Sequence, residues 1–261
     1  MDLGLKGKRA AITGGSQGIG YAIAAVLAAE GCNVALAARG EERLKEAVSR
    51  LEATGVRAMG VAVDLSDEAG CRTFVETAAE GLGGLDILIN NVGGMIPGTL
   101  ATLTSEQWDA VLSVNLMAYI YCTKYAIEHL KKSSAGRILN VSGISGKQLL
   151  PGSLTTTIPN TAIIGFSKLM AAELGPDGIT VNNICPGVTS VESWGPRAEA
   201  MAKVRGATAD EVRAGYASQS LLGRWAEPEE MGNVAAFLVS EKNSYMTGTT
   251  VEVCGGFNRY V

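Results

Sequence analysis

The sequence predicts an α/β protein, a single doubly wound Rossmann-type domain over residues 1–261 with a mostly parallel seven-stranded sheet and helices on both faces. Three observations carry that expectation. Strand-like apolar runs alternate with helix-forming segments along the whole chain. Several of those runs are apolar without a break, as strands buried on both faces are. The first of them, residues 10–12, runs directly into a glycine-rich turn and then into a helical segment.

That turn organises the rest. Gly14, Gly18 and Gly20 stand where a side chain would block close approach of a bound group. The first turn of the following helix offers free N–H groups and the positive end of its dipole, which together make an anion site suited to a pyrophosphate. The spacing is G-x-x-x-G-x-G, and strand before and helix after are the context such a motif requires.

The elements follow in order. Residues 33–38 read as a buried second strand ending at Arg39, and 41–54 as an amphipathic helix with Leu44, Val48 and Leu51 on one face. Residues 58–63 form a third strand closed by Asp64, and 69–81 a helix. Residues 85–89 form a fourth strand, followed by Asn90, Asn91, Val92 and Gly93. A long helix is expected over 105–131, a fifth strand over 137–141, a helix over 161–174 and a sixth strand over 180–184 that leads to Pro186 and Gly187. Residues 188–223 read as a loose helical excursion, 229–239 as a helix and 249–253 as the last strand. Ligands are expected at the carboxyl ends of the strands.

Composition narrows the class. A hydrophobic fraction of 47% and a net charge of −4 describe an ordinary globular chain with no basic excess for nucleic acid. No apolar run reads as long enough to span a bilayer, and the first eight residues are charged rather than signal-like, so a cytoplasmic protein is expected. Five scattered cysteines without a C-x-x-C pair point to reduced thiols, and the single His129 leaves no multi-histidine metal site.

The order and spacing of several motifs resemble the short-chain dehydrogenase/reductase family over nearly the whole chain, closest to its 3-oxoacyl-reductase-like branch. They are Thr13-Gly14 with Gly18-Ile19-Gly20, Asp64-Leu65, Asn90 to Gly93, Asn115, Val181-Asn182, Pro186-Gly187, Gly223 to Trp225 and Gly255-Gly256. The resemblance implies a nicotinamide dinucleotide held by Gly14, Ser16, Gln17, Gly18, Ile19, Gly20, Arg39, Asp64, Leu65, Asn91, Gly93, Asn160, Pro186, Gly187, Val188 and Thr189. It also implies a small-molecule substrate under the 188–223 excursion and a homotetramer or dimer. Family members selective for NAD carry an acidic residue at the end of the second strand. Here Ala38 and Arg39 stand there, and a guanidinium suits a 2′-phosphate, so NADP(H) is favoured over NAD(H). The resemblance has Asp64 accept from the adenine amino group, against a plain reading as a helix N-cap or turn aspartate.

One part of the pattern fails. The family's reductases use a Ser, a Tyr and a Lys, with Tyr and Lys one helical turn apart, yet no lysine here has a tyrosine four residues before it. Aligned through the flanking residues, the serine position falls on Gly143, the tyrosine position on Thr156 and the lysine position on Asn160. Asn115, the fourth polar member, remains. Pro159 is expected to reset the start of the helix that follows; Val191 and Cys254 also depart from the pattern. Threonine has no pKa near neutrality and does not replace a tyrosine acid unaided. Asn115, Thr156, Ser142 and Ser145 are the candidate catalytic residues; Lys147 and Tyr119 are further proton sources, against plain readings as a solvated charge and a helix–helix contact. Three functions stay open: an oxidoreductase with an atypical site acting on a carbonyl, imine or enone, a silent subunit partnering an active paralogue, and a non-redox lyase or isomerase.

Overall fold

A computed structural model describes residues 1–149 and 153–258. Seven strands form one parallel sheet in the order β3-β2-β1-β4-β5-β6-β7. They are β1 (Arg9–Thr13), β2 (Asn33–Ala38), β3 (Ala58–Ala62), β4 (Ile87–Asn90), β5 (Arg137–Val141), β6 (Thr180–Pro186) and β7 (Thr250–Val253). The order reverses between β1 and β4, and a crevice opens at such a switch point beyond the carboxyl ends of the strands.

The alternation of the strands builds two cores. Ala10, Ile12, Val34, Leu36, Ile87, Ile89 and Leu139 pack on one face, beneath α1 (Gly18–Ala29), α2 (Glu41–Glu52) and α9, the helix Pro228–Val239. Ala11, Ala35, Ala37, Leu88, Ile138 and Val181 pack on the other, beneath α3 (Glu68–Leu82), α5 (Ala118–Leu130) and α6 (Leu154–Leu174). Period-two patterning in an unbroken apolar run thus serves both layers at once.

Several expected boundaries shift. The long helix is two helices, α4 (Ser105–Leu112) and α5, joined by a π-turn at Ser113–Met117 that contains Asn115. Contrary to the expectation that no run is long enough, Ser105–Leu130 is long and apolar enough to cross a membrane by length and composition. Its second half, α5, packs within the domain, with Ala118, Cys122, Ala126 and Leu130 buried against the sheet and α3. Helix α6 starts at Leu154, seven residues before the expected start, and carries Pro159 inside it. Strand β6 continues two residues further, to Pro186. The excursion after it forms α7 (Trp194–Arg205) and α8 (Ala209–Ala217).

The continuity of α6 through Pro159 has a local explanation. Proline has no N–H, so the Thr155 carbonyl four residues earlier loses its helical donor. Asn115 Nδ2 supplies the replacement at 3.3 Å.

Candidate functional site

The glycine turn sits at the end of β1. Gly14 has φ 64°, and a Cβ on Gly20 would lie 2.3 Å from the Gly14 carbonyl oxygen, so the helix presses onto the turn with no room for a side chain. Gln17 is the N-cap residue of α1, but its side chain makes no capping bond, and no acidic residue occupies the first turn. Open donors over a glycine-rich turn fit the pyrophosphate of a dinucleotide. Gln17 Oε1 accepts instead from Arg43, a cation of α2 that motif reading overlooked. Arg39 is exposed at the end of β2, on the same edge.

Asn91 ties the neighbouring ridge to that turn. Its Nδ2 donates to the carbonyls of Thr13 and Gly14 at 3.0 and 3.2 Å, while Thr13 Oγ1 accepts from the N–H groups of Asn91 and Val92. Asn115 extends the ridge. Its Oδ1 accepts from Gly94 N–H at 2.8 Å, and its Nδ2 donates to the Gly94 carbonyl at 2.7 Å as well as to Thr155. One carboxamide on a π-turn therefore joins the β4 loop to α6, and π-turns recur at functional sites.

A cleft of about 870 Å³ runs between this ridge and α6. Ile19, Asn91, Gly93, Asn115, Ser142, Ser145, Thr156, Asn160, Pro186, Gly187 and Val188 all line it, together with Gly143. The structure also brings in residues that no motif marked: Met95, Pro97 and Phe257, of which Phe257 alone had a signal, in the glycine pair before it. Trp194, Met201 and Tyr216 from α7 and α8 close the outer side.

Not every candidate faces the cleft in the expected way. Asp64 accepts from the Ser66 N–H at 2.9 Å as a turn aspartate, and the N-cap of α3 is Asp67. The Leu65 side chain is buried in the core under α3. Thr189 is buried behind the wall, its hydroxyl donating to the Gly187 carbonyl. Ser16 and Gly18 lie on the glycine turn, and Val191 packs over Gly18, where a Cβ on the glycine would meet it at 3.5 Å.

Four of the proton-donor candidates are engaged. The Thr156 hydroxyl turns back to the Ser153 carbonyl at 3.0 Å. Ser142 Oγ accepts from Asn183 Nδ2 at 2.9 Å and lies 3.2 Å from Cys185 Sγ, inside a buried network. Lys147 is ion-paired with Glu252, and the hydrogen bond raises its pKa. Tyr119 donates to the Val141 carbonyl at 2.8 Å, so it meets the end of β5 rather than only a neighbouring helix. Burial pushes its phenol well above the ordinary value.

Gly143 and Asn160 are fitted to each other. A Cβ at Gly143 would lie 2.9 Å from Asn160 Nδ2, which occupies the space a side chain there would take. That same Nδ2 donates to Ser145 Oγ at 2.9 Å. The accepted bond leaves the Ser145 O–H as a donor at the cleft floor.

Comparison with known proteins then names the fold. A family model described as enoyl-(acyl carrier protein) reductase matches residues 14–258. The chain belongs to the short-chain dehydrogenase/reductase family. Short-chain reductase protein NovJ of Streptomyces niveus is 35% identical over 95% of this chain and 92% of its own. An L-sorbose reductase from Gluconobacter frateurii, solved with NADPH and L-sorbose, is 34% identical with a TM-score of 0.95 and 100% of both chains covered. An actinorhodin polyketide ketoreductase variant solved with NADPH is 30% identical with a TM-score of 0.92, over 97% of this chain and 98% of its own. In this short-chain dehydrogenase/reductase, the matched region takes in the glycine turn, the β4 ridge and the α6 wall of the cleft alike.

Proposed function

We propose that this short-chain dehydrogenase/reductase is an NADP(H)-dependent oxidoreductase with an atypical active site, reducing a small carbonyl, imine or enone. One observation carries the reading: a single cleft runs from Ile19, on the glycine turn, to a polar cluster of Ser145, Thr156 and Asn160 around Gly143. NADPH in two structural neighbours supports the choice of cofactor. Gly14, Ser16, Gln17, Gly18, Ile19 and Gly20 would hold the pyrophosphate by backbone N–H groups, and Arg39 the 2′-phosphate. Asp64 and Leu65 would border the adenine. Asn91, Gly93, Asn160, Pro186, Gly187, Val188 and Thr189 would border the nicotinamide half. When bound, a reduced nicotinamide supplies hydride. The chain's own part is to orient the substrate, exclude water beneath residues 188–223 and polarise the acceptor through Ser145 Oγ–H.

The engaged state of Thr156, Tyr119 and Lys147 favours a second reading, a nucleotide-binding subunit that assembles with an active paralogue. Titration of tryptophan fluorescence with NADPH and NADH, followed by NADPH turnover against a carbonyl, imine and enone panel, separates the two. Saturable NADPH binding with turnover of the purified chain supports the oxidoreductase. Binding without turnover leaves the silent subunit, turnover of a substrate without NADPH indicates a lyase or isomerase, and no binding overturns the nucleotide site.

A further inference from the structure

We propose that Ser145 and Asn160 form a two-donor oxyanion site, and that the substrate is an enone reduced at its β-carbon to a saturated ketone. The inference rests on the oxidoreductase reading above and narrows its substrate class.

The donors come from two elements. Asn160 lies on α6, and its Nδ2 stands 2.9 Å from where a Cβ on Gly143, just after β5, would be. The family resemblance puts a serine hydroxyl at position 143; here an N–H group from α6 faces that space. One Nδ2 hydrogen goes to Ser145 Oγ at 2.9 Å. The other Nδ2 hydrogen and the Ser145 O–H remain on neighbouring atoms that both line the cleft. Two such donors aimed at one oxygen stabilise the charge that develops on it. Among the described residues, no Asp, Glu, Lys, Arg or His lines the cleft. Uncharged donors suit an oxygen that gains charge only during reaction, whereas a standing anion would lose its hydration without a counter-charge.

What the cleft lacks is an acid. The hydroxyls of Thr156 and Tyr119 donate to backbone carbonyls, and that of Tyr216 turns to Met201 Sδ at 3.9 Å. Hydride on a ketone carbon leaves an alkoxide, a strong base that needs an acid within reach. Hydride from NADPH on the β-carbon of an enone has another outcome. The C=C pair moves between the α-carbon and the carbonyl carbon, the C=O π pair moves onto oxygen, and NADP⁺ is left. The enolate shares its charge between oxygen and α-carbon, so it is a far weaker base, and two neutral donors hold it. Water then protonates the α-carbon, the C=O bond re-forms and hydroxide leaves to solvent. Met95, Pro97 and Phe257 offer apolar walls to the hydrocarbon frame.

The test starts from NADPH titration of the full chain, because absent binding removes the parent reading, whereas every later failure removes only this inference. 2-Cyclohexenone should be reduced to cyclohexanone, with deuterium from labelled NADPH on the β-carbon and deuterium from D₂O on the α-carbon. Ser145→Ala should slow single-turnover hydride transfer about a hundredfold, as loss of one oxyanion donor does, with NADPH affinity kept as the check on folding. A readout without turnover uses 4-nitrophenol, whose phenolate mimics an enolate. Bound beside NADP⁺, it should ionise about tenfold less readily in Ser145→Ala and in Asn160→Leu than in the parent chain, followed by its visible absorbance. No turnover of the enone, label on the carbonyl carbon, reduction of cyclohexanone or tetralone at a comparable rate, or nitrophenol ionisation unchanged in both variants would each overturn the proposal.

Discussion

Arg39 is the residue proposed to set cofactor choice. It is exposed at the end of β2, where the neighbouring Ala38 leaves no carboxylate to oppose a phosphate. Arg39→Ala should weaken NADPH roughly tenfold to a hundredfold while leaving NADH nearly unchanged, as loss of one hydrogen bond to a charged group does. Parallel fluorescence titrations check it; equal losses for both cofactors would place the 2′-phosphate elsewhere. Gly143 and Asn160 make the second residue-scale case. Gly143→Ser alone should unseat Asn160, since its Cβ would stand 2.9 Å from Nδ2. In the triple variant Gly143→Ser, Thr156→Tyr, Asn160→Lys that obstacle is gone, and positions 156 and 160 share one face of a continuous α6. Tetralone reduction should then rise by about a hundredfold or more, the usual contribution of a general acid. An unchanged rate would mean that the cleft is not shaped for a ketone.

At the level of elements, Asn115 joins the π-turn to α6 at the cleft. Pro159 frees the Thr155 carbonyl, and Asn115 Nδ2 occupies it while also holding Gly94. Asn115→Ala should cost about 1–3 kcal/mol, the penalty for buried polar groups left unpaired. In a Pro159→Ala background the restored N–H can serve Thr155, so the Asn115→Ala penalty should shrink. A double-mutant cycle by urea denaturation measures that coupling, and additive losses would show that the two residues act independently. This joint also explains an expectation that failed. Proline is favoured in a first helical turn, so Pro159 read as a new helix start. The sequence could not show that a carboxamide forty-four residues earlier would satisfy the carbonyl that proline leaves open.

Across the whole molecule, the end of the sheet away from the cleft is clamped by charge. Asp86 is buried, accepts from Arg9 Nε at 2.7 Å and Nη2 at 2.8 Å, and takes the Ser133 hydroxyl at 2.6 Å. Burial by itself pushes the carboxyl up, but these bonds and the Arg9 charge outweigh it and hold the pKa below the ordinary carboxylate value. A depressed folded pKa means that the stabilisation is complete above the unfolded value of about 3.9 and is lost as pH falls below it. Asp86→Asn should therefore lower stability by about 1–3 kcal/mol at neutral pH and flatten the acid limb of the stability curve, with NADPH affinity unchanged. Thermal melts across the acid range check it. Assembly belongs to the same scale. Apolar side chains beyond one helical stripe motivate a homo-oligomer, most simply a tetramer: Leu116, Ile120 and Ile127 near α5, and Phe166 and Met170 on α6, are all half-buried. Ile163, which its apolar character would group with them on α6, is instead buried in the core, whereas Leu169 is 68% exposed. Sedimentation at micromolar concentration should give a species larger than the 27.0 kDa chain.

Local chemistry was enough to determine the layered fold, the glycine turn and the missing tyrosine–lysine pair. Each of these is written in period, spacing or residue type over a few neighbouring positions. Unbroken apolar strands are buried on both faces, and only glycine fits where the turn after β1 meets the helix at Gly20. The chemical state of the cleft was not legible in that way. Ser142, Lys147, Thr156 and Tyr119 each carry a group capable of proton transfer, and in the chain they look equally available. Their partners are Asn183, Glu252, Ser153 and Val141, three of them remote in sequence and brought close only when β5, β6, β7 and α5 pack together. Whether a hydroxyl faces a substrate or a backbone carbonyl depends on those long-range contacts, so tertiary structure alone decided that the polar floor is Ser145 with Asn160 and that the wall is aromatic.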